Sequence, residues 1–352
     1  MSTADTRGPD VREPDTIGVE ATTENGVGRI LLDRPRSLNA LTTAMVERLR
    51  DVLEAWTDES LRAITIESSS ARAFCAGGDI RQVRQNTLDD DSGASDRFFT
   101  AEYQVNHLLG TSRAPVVALV DGVCMGGGLG LSVHGAFRVV GDGLVMAMPE
   151  SSIGFFPDVG ATHFLPRLPG EVGTYLGLTG ARLGAADAVA VGLATHHVTS
   201  EVLAGLADRI VADERPVGSV LAEAAVGPGP SPLLAHRAEI DRTFAGPTVD
   251  DVLEALRREG TSWAEETRAS LGAVSRQSLE VTLDLLRWAE GRTLRECLDA
   301  ELRAGRHVAL SPDFVEGVRA VLVDKDRDPS WGPSQHRGIT ADGDLLWASA
   351  GT

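Results

Sequence analysis

The stretch Asp121-Gly-Val-Cys-Met-Gly-Gly-Gly-Leu-Gly130, inside a longer segment from Val116 to Val159, decides how the rest of the chain is read. The β-branched run Val116-Val-Ala-Leu-Val120 reads as a buried strand, a glycine-dense turn follows it, and Leu129 to His134 can wind as a helix. The glycines therefore stand at a helix N-terminus. Three successive residues without a Cβ let a ligand lie against bare backbone, and the unpaired N–H groups of the first helical turn point at it. Such a place suits a developing negative charge. Downstream, Met148-Pro-Glu-Ser-Ser-Ile-Gly-Phe-Phe-Pro-Asp-Val159 offers two carboxylates, Glu150 and Asp158, on a loop. Apolar neighbours (Ile153, Phe155, Phe156) would raise a carboxylate's pKa and make it a better base near neutral pH. The combination reads as a carbonyl polarised by glycine N–H groups, with carboxylates to handle water.

A chain of 352 residues is long enough for one large core and a second lobe, and 42% hydrophobic with 24% charged residues fits an ordinary globular protein. Its apolar stretches are broken by Gly, Pro or charge well short of the roughly 18–20 residues a spanning helix needs, so no membrane partner is expected. A net charge of −18 argues against nucleic acid and anionic membranes, which require a basic face. Any phosphate-bearing ligand must then be met by a local cationic patch or by backbone N–H groups. Lys325 is the only lysine, so that patch would be built from arginine. Cys75, Cys124 and Cys297 are odd in number and unpaired in spacing, as in reduced thiols, which points to a cytoplasmic protein.

Residues 1–17 are polar and read as a disordered leader. Val27-Gly-Arg-Ile-Leu-Leu32 and Ala63-Ile-Thr-Ile-Glu67 read as strands, with a helix between them capped by Thr42 or Thr43. Residues 86–96 are acidic and turn-rich, as in a mobile surface loop, and a helix from about Arg97 to Leu109 carries Glu102. Strand, turn and helix recur before residue 200, predicting an α/β fold of repeated β-β-α units over residues 18–225. After Val226-Gly-Pro-Gly-Pro-Ser-Pro232 the pattern turns helical through residue 333, with Ser311 and Pro312 marking the last helix start. Residues 334–352 read as a polar, frayed tail.

Several other patterns fail as active sites. Gly130-Leu-Ser132-Val-His134 misses the G-x-S-x-G nucleophile elbow because a histidine closes it, and the glycine cluster does not fit the dinucleotide fingerprint. His196 and His197 are adjacent, so in a strand they point to opposite faces. No spacing suggests a metal site, and no cofactor is expected.

The segments Ala73-Phe-Cys-Ala-Gly-Gly-Asp79, Met125-Gly-Gly-Gly128 and Met148-Pro-Glu150 resemble the crotonase (enoyl-CoA hydratase/isomerase) superfamily. Within it, Leu131-Ser-Val-His-Gly135, Ile153-Gly-Phe-Phe-Pro-Asp-Val-Gly160, Phe164-Leu-Pro-Arg-Leu168, Glu316-Gly-Val-Arg-Ala320, Asp324-Lys-Asp326, Pro329 and Trp331 are similar to its 3-hydroxyisobutyryl-CoA hydrolase branch. The likeness spans about residues 18 to 333. It implies a crotonase-type spiral with a helical C-terminal lobe, and cofactor-free hydrolysis of a short 3-hydroxyacyl-CoA from valine breakdown. It also implies that the Gly78 and Gly127 N–H groups form an oxyanion hole for the thioester carbonyl, each donor worth roughly 3–4 kcal/mol of barrier.

Where hydratases of the superfamily carry a second glutamate, this chain has Gly130, and it keeps Glu150 and adds Asp158 where hydratases commonly have glycine. Hydration needs two carboxylates, whereas thioester hydrolysis needs one group that activates water or attacks the carbonyl carbon itself. The resemblance assigns that role to Glu150, an orienting or proton-transferring role to Asp158, and substrate contacts to Glu102, Ala76, Asn39 and Ala40. It places Arg34, Arg36 and Arg72 near the adenine end of CoA, with Arg36 and Arg72 as phosphate-binding candidates. An enoyl-CoA hydratase or isomerase and a non-catalytic CoA-ester scaffold are the alternatives. Superfamily members are often built on trimers, which points to a homo-oligomer unless the helical lobe covers that interface.

Overall fold

The computed structural model describes residues 17–348, so the leader up to residue 16 and the last four residues lie outside the described part. The strands pair into two main sheets. β1 (Val19–Glu24) and β2 (Val27–Leu32) form an antiparallel hairpin around Asn25-Gly26, both at positive φ as a two-residue hairpin turn requires. β2 then pairs in parallel with β3 (Ala63–Ser68), and the sheet continues through β5 (Val116–Val120), β7 (Phe137–Val140) and β9 (His196–His197) in the order β1-β2-β3-β5-β7-β9. A smaller parallel sheet interleaves with it: β4 (Ala73–Cys75), β6 (Val123–Met125) and β8 (Val145–Ala147), in that order. The three middle turns of the spiral, β3-β4, β5-β6 and β7-β8, thus contribute one strand to each sheet.

All five residues of β5 are buried because both faces of the large sheet are covered. On one face Val117, Leu119 and Val139 meet Leu206, Ile210 and Val220 of the helices after residue 200. The opposite side belongs to the main core, which runs from Ile30 and Ile66 through Phe74 and Phe99 to Leu285, Val308 and Phe314. The helices beyond Pro232 share that core with the spiral. Local capping fixes where they begin: Ser311 Oγ accepts from the Phe314 N–H at 3.2 Å with Pro312 following, and Ser275 Oγ accepts from the Ser278 N–H at 3.2 Å. Among the described residues no helix is long and apolar enough to cross a membrane.

Two expectations from the sequence change. The acidic stretch 86–96 is helical on either side of a short turn: one helix ends at Leu88 and the next, Ser92–Thr111, starts where Asp91 accepts from the Ala94 N–H at 3.0 Å. The Asp, Ser and Gly residues that suggest a loop are serving as a helix N-terminus. The frayed tail is replaced, over its described part, by a hairpin of β10 (His336–Ile339) and β11 (Leu345–Trp347), held where Trp347 stacks on His307 with ring centroids 4.0 Å apart.

Candidate active site

Three parallel strands deliver the site. β4, β6 and β8 run side by side with Cys75 opposite Cys124 and Met125 opposite Ala147, so the segments leaving their carboxyl ends emerge level with one another. These segments carry Gly77-Gly78, Gly126-Gly127 and Pro149-Glu150, and all six residues line one cavity of about 500 Å³. Gly78 and Gly127 face each other closely, since a Cβ on Gly127 would stand 3.4 Å from the Gly78 nitrogen. Among the described residues neither N–H has a backbone carbonyl partner outside regular elements, and Gly127 opens its helix, Gly127–Ser132, where no preceding turn can accept.

The absence of side chains on this turn is what admits the carboxyls. A Cβ on Gly126 would lie 2.6 Å from Glu150 Oε1, and one on Gly127 would lie 2.5 Å from Glu102 Oε1. Gly126 also stands at φ +48°, a backbone conformation that strains most side chains. Glu150 opens a short 3-10 turn, Glu150–Ile153, and Glu102 comes from the middle of the Ser92–Thr111 helix. Asp158 completes the cavity wall, its Oδ2 accepting a 2.7 Å hydrogen bond from the Tyr103 hydroxyl.

Glu102, Glu150 and Asp158 are all buried, which decides their electrostatics. Burial pushes the Glu102 carboxyl well above the usual carboxylate range, and the charges of Asp158 and Glu150 push it further. Burial and then Asp158 do the same to Glu150. Burial raises Asp158 to about 6, and the Tyr103 hydrogen bond acts in the opposite direction by favouring the ionised form. Among the described residues Glu150 Oε2 and Glu102 Oε1 have no hydrogen-bond partner. A carboxylate raised in this way is a stronger base than an exposed one, and its conjugate acid can return the proton.

Gly130 has no room for a side chain. A Cβ there would lie 2.7 Å from the Asn106 amide nitrogen and 2.8 Å from Val159 Cβ. The space that a side chain at position 130 would need is filled by an amide and a valine.

Of the residues singled out from the sequence, Ala76, Gly78, Glu102, Gly127, Glu150 and Asp158 come together at the cavity. Asn39 and Ala40 lie outside that lining, and their polar atoms brace their own loop. Asn39 is fully buried, accepts from the Arg34 N–H at 2.7 Å, and donates to Ser68 Oγ at 2.7 Å and Phe74 O at 3.0 Å; Ala40 O accepts from Arg34 Nη1 at 2.9 Å. Together they hold the loop against β4. Arg36 and Arg72 are exposed and outside the cavity wall. The cations in that wall are Arg182 and Arg327, which sequence spacing does not single out, although Arg327 lies beside the Asp324-Lys-Asp326 motif. Ala273, Val274, Val321 and Leu322 from the helical region close the cavity, the last two on a π-helical turn, Arg319–Val323.

Known proteins share this architecture. A family model described as enoyl-CoA hydratase/isomerase matches residues 27–343. The mitochondrial 3-hydroxyisobutyryl-CoA hydrolase of Xenopus laevis is 40% identical over 325 residues, 90% of this chain and 84% of that one. The human mitochondrial 3-hydroxyisobutyryl-CoA hydrolase is 41% identical over 323 residues, 89% of this chain and 83% of that one. A crystal structure of a carnitinyl-CoA dehydratase from Mycobacterium thermoresistibile superposes with a TM-score of 0.84 at 38% identity, covering 89% of this chain and 91% of that one. The mitochondrial placement of the two hydrolases overturns the cytoplasmic expectation. The three cysteines are buried free thiols, and free thiols do not distinguish one reducing compartment from another. With the family model matching most of its length and relatives at this identity, the chain belongs to the enoyl-CoA hydratase/isomerase family and stands within it beside the 3-hydroxyisobutyryl-CoA hydrolases.

Proposed function

We propose that this protein hydrolyses the thioester of 3-hydroxyisobutyryl-CoA, releasing 3-hydroxyisobutyrate and CoA, in keeping with a place in valine breakdown. The observation that carries this reading is the closed space at Gly130, which leaves Glu150 beside the paired glycine N–H groups without the hydratases' second glutamate. The thioester oxygen accepts from the Gly78 and Gly127 N–H groups, which stabilise it as it becomes an oxyanion. Glu150 then takes a proton from water as the water oxygen attacks the carbonyl carbon. The tetrahedral intermediate collapses, the C–S bond breaks, and the proton held by Glu150 passes to the departing thiolate. In the covalent variant Glu150 itself attacks, CoA leaves, and water cleaves the resulting anhydride. Asp158, oriented by Tyr103, holds the 3-hydroxyl end of the acyl group.

Arg182 and Arg327 supply the local positive charge that a CoA ester needs against a net charge of −18. Assembly into a trimer-based homo-oligomer rests on the family resemblance, and a solution mass measurement tests it.

A second reading, hydration or dehydration of an enoyl-CoA, draws on Glu102 as a second carboxyl in the cavity and on the likeness to a dehydratase. Supplying the wild-type protein with 3-hydroxyisobutyryl-CoA and, separately, crotonyl-CoA separates the two. Thiol release from the first without hydration of the second supports hydrolysis, and the reverse supports hydration.

A further inference from the structure

The turn that carries Asp158 departs from what its own sequence would adopt. Val159 stands at φ +55°, a left-handed conformation rare for a β-branched residue, and Gly160 follows at φ +84°. Two groups from distant parts of the chain hold it there. His134 Nε2 lies 2.7 Å from Val159 O, and because a carbonyl can only accept, that nitrogen carries the proton. Opposite, Glu301 on the helix Leu294–Val308 accepts from the Gly160 N–H at 2.7 Å, the Thr162 N–H at 2.9 Å and the Thr162 hydroxyl at 2.6 Å. Gly160 is pressed so closely between them that a Cβ would fall 2.5 Å from His134 Cε1.

Glu301 is fully buried and has no cationic partner among the described residues. A buried carboxyl without a cation is a poor device for stability alone. Its hydrogen bonds all go to Gly160, inside the strained turn, and to Thr162, two residues beyond it. The titratable groups near enough to interact with it are Asp158 and Tyr103 at the cavity and Cys297 on its own helix.

We propose that Glu301 is a positioning residue for Asp158. Its carboxyl clamps the Val159–Gly160 turn against His134 and so fixes the Asp158 carboxyl in the cavity wall beside Glu150. The inference rests on the reading of Asp158 as a working group in the proposed hydrolysis.

The test is a double-mutant cycle of Glu301→Gln with Asp158→Asn, read as kcat and KM for thioester hydrolysis, together with backbone hydrogen exchange over residues 158–162. Glu301→Gln is expected to lower kcat 10- to 100-fold with KM within twofold, to cause no further loss in the Asp158→Asn background, and to accelerate exchange at Gly160 and Thr162. Thr162→Val, which removes one of the three donors, should show a smaller version of the same pattern and covers the case in which Glu301→Gln does not fold. Losses of equal size in both backgrounds, or exchange unchanged at those two amides, would overturn the proposal. If Asp158→Asn alone leaves hydrolysis intact, the role given to Asp158 fails, and exchange at Gly160 and Thr162 still decides whether Glu301 holds the turn.

Discussion

Gly130 and Asn106 approach so closely that a Cβ on the glycine would sit 2.7 Å from the asparagine's amide nitrogen. Asn106 is fully buried one helical turn from Glu102, so the amide and the carboxyl pack along the same short glycine-rich helix, against Gly130 and Gly127 respectively. Gly130→Glu is therefore expected to overpack this contact, destabilising the fold by about 1–3 kcal/mol without conferring crotonyl-CoA hydration. Thermal unfolding and a hydration assay on the variant check both halves.

The pKa of Asp158 makes stability depend on pH in a defined direction. Its folded value, about 6, lies above the ordinary 3.8, so the folded state favours the protonated form. That contribution is fully present below about pH 4 and is lost as pH rises through 6. Asp158→Asn, which stays neutral, is expected to unfold less readily than wild type above pH 7, by up to about 3 kcal/mol, with the difference closing near pH 4. Denaturant unfolding of both proteins at pH 4, 6 and 8 measures it.

Tyr103 opposes that shift by donating to the ionised Asp158. Removing its hydroxyl in Tyr103→Phe should raise the Asp158 pKa further and move the limb of the pH–rate profile governed by Asp158 to higher pH, by about one pH unit. A pH profile of thiol release that superposes on the wild-type profile would show that Asp158 does not govern that limb.

Arg182 and Arg327 line the cavity, while Arg36 and Arg72 are exposed outside it. The Arg182→Ala, Arg327→Ala double variant is expected to raise KM for the CoA ester roughly tenfold at low salt, and less at high salt where charge is screened. The Arg36→Ala, Arg72→Ala pair should change KM less than twofold, so steady-state kinetics on the two pairs assigns the phosphate contact.

What the sequence made legible was local. The run Val116–Val120, the glycine turn and the Glu150 to Asp158 loop announce themselves because strand pattern, missing side chains and carboxylates lie within one short segment. The Thr42 and Ser311 helix starts are likewise local, each a hydroxyl accepting from an N–H three residues on. The roles of Tyr103, His134 and Glu301 were not legible because their partners at Asp158, Val159 and Gly160 lie 55, 25 and 141 residues away along the chain. The bracing hydrogen bonds of Asn39 were equally invisible, since Ser68 and Phe74 lie 29 and 35 residues further along the chain. The tail hairpin depends on Trp347 meeting His307, a contact that no local pattern signals.

The most direct test of the central claim is free-thiol release from 3-hydroxyisobutyryl-CoA by wild type and by Glu150→Gln, with binding of the ester measured alongside. The expected result is a fall in kcat of about 10²–10⁴-fold with binding retained, since the variant keeps the shape and loses the group that handles the proton. Thiol release at the wild-type rate in Glu150→Gln would contradict the assignment, and place the activation of water on another residue of the cavity.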